Sequence, residues 1–295
     1  MIVSIGEILF DRFPDYYRIG GAPFNVAFHL QSLGYETRFV SRIGADSAGA
    51  EIRSFLRSRG MDDSLIQEDP DHPTGEVTVR LDADGNADFQ IHENVAYDHI
   101  IPDAPARDAV GAARLIYYGS LVQRTQPGRE AVQALLAERP PAARCLYDVN
   151  LRPNCYDERV VRESMAHCDV LKISHDELPT VQRLLGHEGD LEAFIAHLMK
   201  DYRLQLMALT MGAEGSRLYT PEGCYAVSAT RDLDVVDTVG AGDAFTAVLA
   251  VGYLADWPPA RIVETATGFA GRICAMEGAI PDDPSVYDPI RAQFE

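Results

Sequence analysis

The chain has 295 residues, 46% of them apolar, and a formal charge of −19 from 26 basic and 45 acidic side chains. That length and apolar content suffice for one large α/β domain, while so acidic a chain excludes nucleic acid and anionic membranes as partners, since both need a basic footprint. Five cysteines (Cys145, Cys155, Cys168, Cys224, Cys274) form no C-x-x-C pair, so neither a zinc site nor a disulfide framework is expected, and a reducing cytoplasm is the expected setting.

Met1-Ile-Val-Ser-Ile-Gly6 reads as a buried strand from the start, without the basic and apolar regions of an export signal. Gly6-Glu-Ile-Leu-Phe-Asp11 then puts a carboxylate at the far end of that strand, and Gly20-Gly-Ala-Pro-Phe-Asn25 opens a helix running to about Leu33. In open α/β sheets ligands collect beyond the carboxyl ends of the strands, so Asp11 is expected within reach of a substrate. Residues 39–43 read as a second strand, and 44–49 lead into a helix that Gly60 ends. From Thr74 the texture changes: 76–80 and 87–93 alternate, with Asp84-Gly85 as the turn signal between them. An antiparallel hairpin inside an α/β chain is the expectation. Strands at 114–118, 143–149, 170–173 and 206–210 then alternate with helices near 127–138, 159–167, 176–185 and 191–201. That order predicts a largely parallel sheet with helices on both faces.

Chemistry-bearing residues gather at the ends of these later strands. Tyr147-Asp-Val-Asn-Leu-Arg-Pro153 sets Asp148, Asn150 and Arg152 around a strand end. Arg152 offers a planar cationic fork suited to a transferring phosphoryl group, with a structural salt bridge as the alternative, and Asn150 can hold substrate hydroxyls or metal-bound water. In Asp237-Thr-Val-Gly-Ala-Gly-Asp-Ala-Phe245, a loop opens into a helix of small and apolar residues reaching Leu254. Gly240, Ala241 and Gly242 therefore fall at a helix N-terminus, where unpaired amides, the dipole and the missing side chains of glycine together make an anion hole. Asp243 would repel a bound phosphate if it were only structural. It makes sense as the base that takes the proton of a hydroxyl attacking that phosphate, with a plain helix cap as the alternative.

Asp237-Thr-Val-Gly-Ala-Gly-Asp243, with Ala244-Phe245 after it, resembles the signature of the ribokinase-like (PfkB) carbohydrate kinases. The resemblance implies a ribokinase-like three-layer αβα fold over residues 1–295, with a mostly parallel central sheet and a small β-sheet lid built from about 10–18 and 74–93. It implies ATP-dependent phosphorylation of a small alcohol, with Asp243 as base. Carried over residue by residue, Gly20 and Gly21 let the sugar lie against the backbone, and Asp11 and Asn25 bond its hydroxyls. Thr210, Gly212 and Gly215 resemble the segment that lines the nucleotide. Glu177 is similar to the Glu that organises Mg2+ through water, although Ser174 stands where many relatives have Asn. Asp237 is similar to a carboxylate linked to a monovalent cation, K+. Gly6-Glu7, the Asp-x-Asn-Leu-Arg segment and Ser174-x-x-Glu177 resemble fructokinase-type members, so fructose is the expected substrate; 2-keto-3-deoxygluconate, ribose or a nucleoside remain open. A homodimer through the lid is expected on the same grounds. The rival of another class is a catalytically weak sugar-binding regulatory protein on this fold.

Overall fold

The computed structural model describes residues 1–81, 87–229 and 234–294; the Asp84-Gly85 turn signal lies outside them. The chain opens with β1 (Ile2–Ile5), β2 (Leu9–Arg12), β3 (Tyr17–Gly20), α1 (Ala22–Ser32), β4 (Thr37–Gly44), α2 (Ser47–Ser58) and β5 (Ile66–Asp69). Next come β6 (Gly75–Leu81), β7 (Ala87–Ile91), α3 (Ala104–Gly111), β8 (Leu115–Gly119), α4 (Gln126–Ala137) and β9 (Arg144–Asp148). The remainder is α5 (Glu158–His167), β10 (Val170–Ser174), α6 (Leu178–Leu184), α7 (Leu191–Asp201), β11 (Leu206–Thr210), β12 (Ser216–Thr220), β13 (Gly223–Val227), α8 (Ala241–Leu254), α9 (Pro259–Cys274) and the short α10 (Asp288–Arg291).

Among the described residues, nine strands form the main sheet in the order β13-β12-β11-β10-β9-β8-β1-β4-β5. It is parallel from β5 to β11, and only β12 and β13 pair antiparallel at one edge. The centre is parallel because β1 and β8 are buried along their whole length, which requires helices on both faces. One face carries α1, α8 and α9, packed through Val26, Leu30, Phe245, Val248, Ile262 and Phe269. The other carries α3 to α7, through Val110, Val132, Leu135, Val161, Val181 and Phe194. Helix starts are fixed by side chains that accept the first free amides: Asp46 from Gly49, Thr125 from Gly128, Asp157 from Val160 and Asp190 from Ala193.

A second sheet, β3-β2-β6-β7, stands apart from the first. The expected alternating segments are there, but β2 pairs with β6 in parallel, so the small sheet is mixed rather than a pure hairpin. Asp11 belongs to this sheet, on β2, and not to the far end of β1 as its place in the sequence suggests; the chain leaves the main sheet at Gly6 (φ 155°) and starts a new strand. Among the elements without a counterpart in the sequence reading are the short α10, β5 and α3. The strand β5 has only four residues, of which Ile66 and the acidic Asp69 are buried, too few to show alternation. The helix α3 buries only Ala106 and Val110.

Candidate active site

Gly240 caps α8 at φ 78°, a left-handed backbone in which a side chain would also strike Ala279, 2.3 Å from its Cβ. Only glycine turns the chain here, and the turn points the head of α8 into the interior. Ala244 N–H opens the helical ladder by donating to Gly240 O at 2.9 Å. Ala241 N–H leans on Thr238 O at 3.4 Å, while the amides of Gly242 and Asp243 have no backbone acceptor among the described residues. Two free N–H groups at a helix N-terminus make a place for an anion. Gly242 adds room: a Cβ there would stand 3.2 Å from the Lys172 ammonium.

Beneath this turn lies an ion pair. Lys172, on β10, places Nζ 3.0 Å from Asp148 Oδ1 at the end of β9, and both side chains are buried. The Thr246 hydroxyl lies 3.0 Å from Asp148 Oδ2 and 2.8 Å from Gly242 O, tying the pair to the first turn of α8. Burial alone would pull the Lys172 ammonium down, but Asp148 and Glu177 outweigh it and hold it above its ordinary range. A positive charge, paired with Asp148, therefore sits under the head of α8 in an acidic protein.

Asp243 follows in the same turn and accepts a hydrogen bond from Asn25 Nδ2 at 2.8 Å. Burial pushes its carboxyl up to about 6, against the Asn25 bond, with Asp148 raising it further and Lys172 and Arg152 lowering it. Glu7 and Asp11 are shifted the same way, to about 7 and about 6, chiefly by burial, and Arg152 lowers both. These groups line one cavity of about 1220 Å³ between the main sheet and the small sheet. That is larger than the roughly 300–1,000 Å³ of a typical single-ligand pocket. It has room for two ligands.

Of the residues picked out from the sequence, Asp11, Gly21, Asn25, Asn150, Arg152, Gly240, Gly242 and Asp243 all line this cavity. Gly20, Glu177, Thr210, Gly212, Gly215, Asp237 and Ala241 do not. Gly20 makes room for a neighbour, since a Cβ would lie 2.4 Å from Asp11 Oδ2. Gly215 (φ 100°) closes the β11–β12 turn with a Cβ position only 2.0 Å from Val227 O. Arg152 is exposed and, among the described residues, has no salt-bridge partner, so the structural ion pair considered for it is not formed. Lys172, Thr246, Glu7 and Arg124 were not singled out as site residues. A lysine buried against a carboxylate leaves no periodic signature, although Lys172 is one of two lysines in the chain.

The donor sets decide what metals fit. The Glu177 carboxylate is already used: Leu151 N–H donates to Oε1 at 2.6 Å, and Ser174 donates to Oε2 from both N–H (2.8 Å) and Oγ (2.7 Å). Remaining lone pairs leave it able to orient metal-bound water but not to be one of several direct ligands, and no group of three or more metal-binding side chains occurs among the described residues. Asp237 accepts from Val239 N–H and Gly278 N–H, each at 3.0 Å, and Arg18 Nη1 approaches its Oδ2 at 3.5 Å. A guanidinium thus already stands where Asp237 would present charge to a monovalent cation, so the residues do not fit one well.

Free amides at a helix head, a buried lysine beneath them and an ionisable carboxylate beside them are the kind of groups that phosphoryl transfer to an alcohol calls for. Residues 13–285 match the model of the pfkB family of carbohydrate kinases, and the chain belongs to that family. It is 30% identical over 312 residues to fructokinase-2 of Zea mays, covering 97% of this chain and 92% of that protein. It is 29% identical over 321 residues to fructokinase-1 of Oryza sativa subsp. japonica, covering 99% and 97%. Among solved structures it is similar to an uncharacterized sugar kinase from Pyrococcus horikoshii in complex with ATP (TM-score 0.82, 28% identity, 95% and 94% covered). A fructokinase with bound ATP from Xylella fastidiosa is equally alike (TM-score 0.81, 25% identity, 100% and 99% covered). No described helix is long and apolar enough to cross a membrane.

Proposed function

We propose that this carbohydrate kinase transfers the γ-phosphoryl group of ATP to a hydroxyl of a ketose, with fructose as the preferred substrate. The observation that carries the reading is Asp243: a carboxyl raised to about 6, held by Asn25 at 2.8 Å, next to the free amides at the head of α8. A base of this strength is largely ionised at neutral pH yet still able to take a proton. Asp243 accepts the proton of the attacking hydroxyl. The amides of Gly242 and Asp243, with Lys172 beneath them, hold charge on the phosphoryl oxygens. Arg152, without a carboxylate partner among the described residues, neutralises the group in transit. Asp11, Gly21, Asn25 and Asn150 position the sugar. Asn25 keeps its Oδ1 for that purpose because only its Nδ2 is used by Asp243. Thr210, Gly212 and Gly215 are assigned to the nucleotide by resemblance alone.

Mg2+, when bound with the nucleotide, supplies charge neutralisation on the phosphates; Glu177 would hold its water. The small sheet acts as a lid that closes over the sugar and excludes water, with half-exposed Tyr16 and Tyr17 on it supporting assembly of two copies through this sheet. The setting of the reading is the cytoplasm. Fructose rests on the relatives named fructokinase and on Glu7, Asn150, Arg152 and Ser174. The unpaired Arg152 favours a second reading, an acid sugar such as 2-keto-3-deoxygluconate, whose carboxylate it would bind. A regulatory sugar-binding protein would have no use for Asp243 in this place. An ATP-coupled assay over ketoses, aldoses, sugar acids and nucleosides, with identification of the phosphorylated carbon, tests the proposal: fructose should give the highest kcat/KM, and turnover of a sugar acid alone would replace fructose with the second reading.

A further inference from the structure

Among the described residues lining the cavity, three largely buried side chains keep a polar atom with no partner: Asn25 Oδ1, Glu7 Oε2 and Arg124 Nη1. Asn25 already has a part in holding the sugar. Glu7 and Arg124 do not, and each is expensive to leave bare, because a buried charged group without its hydrogen bonds loses its solvation for nothing. Glu7 is 3% exposed, just beyond the end of β1. Its carbonyl is packed against the backbone of Gly21, where a Cβ would lie 2.6 Å away. The Arg124 side chain is 6% exposed and clamped: Nε and Nη2 each donate to Asp98 at 2.8 Å, Nη2 also donates to His92 O at 2.6 Å, and the guanidinium lies over Tyr97 at 5.1 Å. Only Nη1 is left to donate. The two charges feel each other without pairing, since Arg124 and Arg152 both steady the ionised form of Glu7 against its burial.

We propose that Glu7 Oε2 and Arg124 Nη1 form a second hydroxyl-reading pair, an acceptor and a donor that together take a substrate hydroxyl other than the one phosphorylated. A hydroxyl satisfies both at once, donating its proton to Glu7 and accepting from Arg124. A methylene or an apolar ring at the same spot satisfies neither and leaves both buried and unpaired, which is how a site rejects the analogue that lacks the group. The inference rests on the sugar-kinase reading and narrows it to polyhydroxylated sugars, with deoxy sugars and nucleosides disfavoured at that position.

The test compares wild type, Glu7→Gln and Glu7→Ala on fructose and its set of monodeoxy analogues, each kept for a hydroxyl that is not the phosphate acceptor. Arg124 also holds Asp98 and His92, so Glu7 carries the test. In the wild type, one analogue should fall below fructose in kcat/KM by on the order of 10²-fold, the size of a hydrogen bond to a charged group. Glu7→Ala should lose about that factor on fructose, mostly in KM, and almost nothing further on that analogue. Glu7→Gln, which keeps the shape of the side chain, should narrow the gap between the two substrates at least about fivefold with an unchanged melting temperature, a fraction of what the charged bond contributes. If both variants scale fructose and every analogue by one common factor, or leave fructose untouched, the pair does not read the substrate. Should Glu7→Ala fail to fold, an unchanged ratio in Glu7→Gln alone overturns the proposal. If the wild type does not act on fructose, the substrate reading fails separately, and the same comparison is made on the sugar that the panel yields.

Discussion

Gly242→Ala separates catalysis from stability at the anion hole. The position lies in the first turn of α8 with an ordinary helical backbone, and alanine is roughly 1 kcal/mol better than glycine inside a helix. Against that gain, the new methyl stands 3.2 Å from Lys172 Nζ, so the ammonium must give by a few tenths of an ångström while staying paired with Asp148 at 3.0 Å. The two effects are of similar size and opposite sign, so the melting temperature should move by no more than about 2 °C, what ~1 kcal/mol produces in a domain of this size. Catalysis has no such offset. The methyl presses on the Lys172 ammonium beneath the free amides, and losing one anion-hole donor costs on the order of 10²–10³ in kcat. Steady-state kinetics with ATP and fructose, beside thermal denaturation, read both quantities. The neighbouring Gly240→Ala is the contrast: φ 78° and an Ala279 contact at 2.3 Å predict that it loses stability and turnover together. A Gly242→Ala enzyme with wild-type kcat, or one that loses kcat only as it loses its fold, would refute the anion-hole assignment.

The raised carboxyls give a pH dependence with a definite sign. Asp243 titrates near 6 in the folded protein and near ~4 when unfolded, so the stability it lends is present at low pH and lost as pH rises through 6. Asp243→Asn should therefore be stabilised over wild type at pH 8, keep about half of that gain at pH 5 and lose most of it by about pH 4, while wild-type turnover falls in the other direction, as pH drops below about 6 and the base is protonated; thermal melts of the two proteins that stay parallel across this range would count against the shift. Arg18 against Asp237 predicts that exchanging K+ for a large organic cation changes wild-type activity less than about twofold, the scale of an exposed ion pair. Arg18→Met should open a dependence on K+ that the wild type lacks, and strong K+ activation of the wild type would remove this role for Arg18.

How much of this was legible in the sequence depended on whether a residue's role was local. The head of α8 was, because glycines at a loop-to-helix junction have a local reason to be there, and the free amides of Gly242 and Asp243 follow from it. The alternation of strands and helices in the second half was equally plain, since β8 and β11 are apolar along most of their length and β9 and β10 keep apolar cores of Cys145-Leu146-Tyr147 and Val170-Leu171. What the sequence hid was tertiary. Asp11 reads as the end of the first strand, yet Gly6 sends the chain into a different sheet and brings the carboxylate to the cavity from above. Lys172 and Thr246 acquire meaning only when β10 and α8 come together around Asp148, 98 residues before Thr246. Asp237, a motif position that the resemblance links to a cation, is also met by Arg18, from a strand 219 residues earlier, a contact that no local pattern shows.

The central claim is that Asp243 is the base of phosphoryl transfer, and Asp243→Asn tests it most directly. The amide keeps the size of the side chain and an oxygen for Asn25 Nδ2, now at 2.8 Å from the carboxylate, but it cannot take a proton. Turnover with saturating ATP and sugar should fall by on the order of 10²–10⁴, while the sugar dissociation constant changes far less, because Asp11, Gly21 and Asn25 remain in place. An Asp243→Asn enzyme that is folded, binds sugar and retains more than about a tenth of wild-type kcat would contradict the account, since general-base catalysis is worth at least ten times that loss.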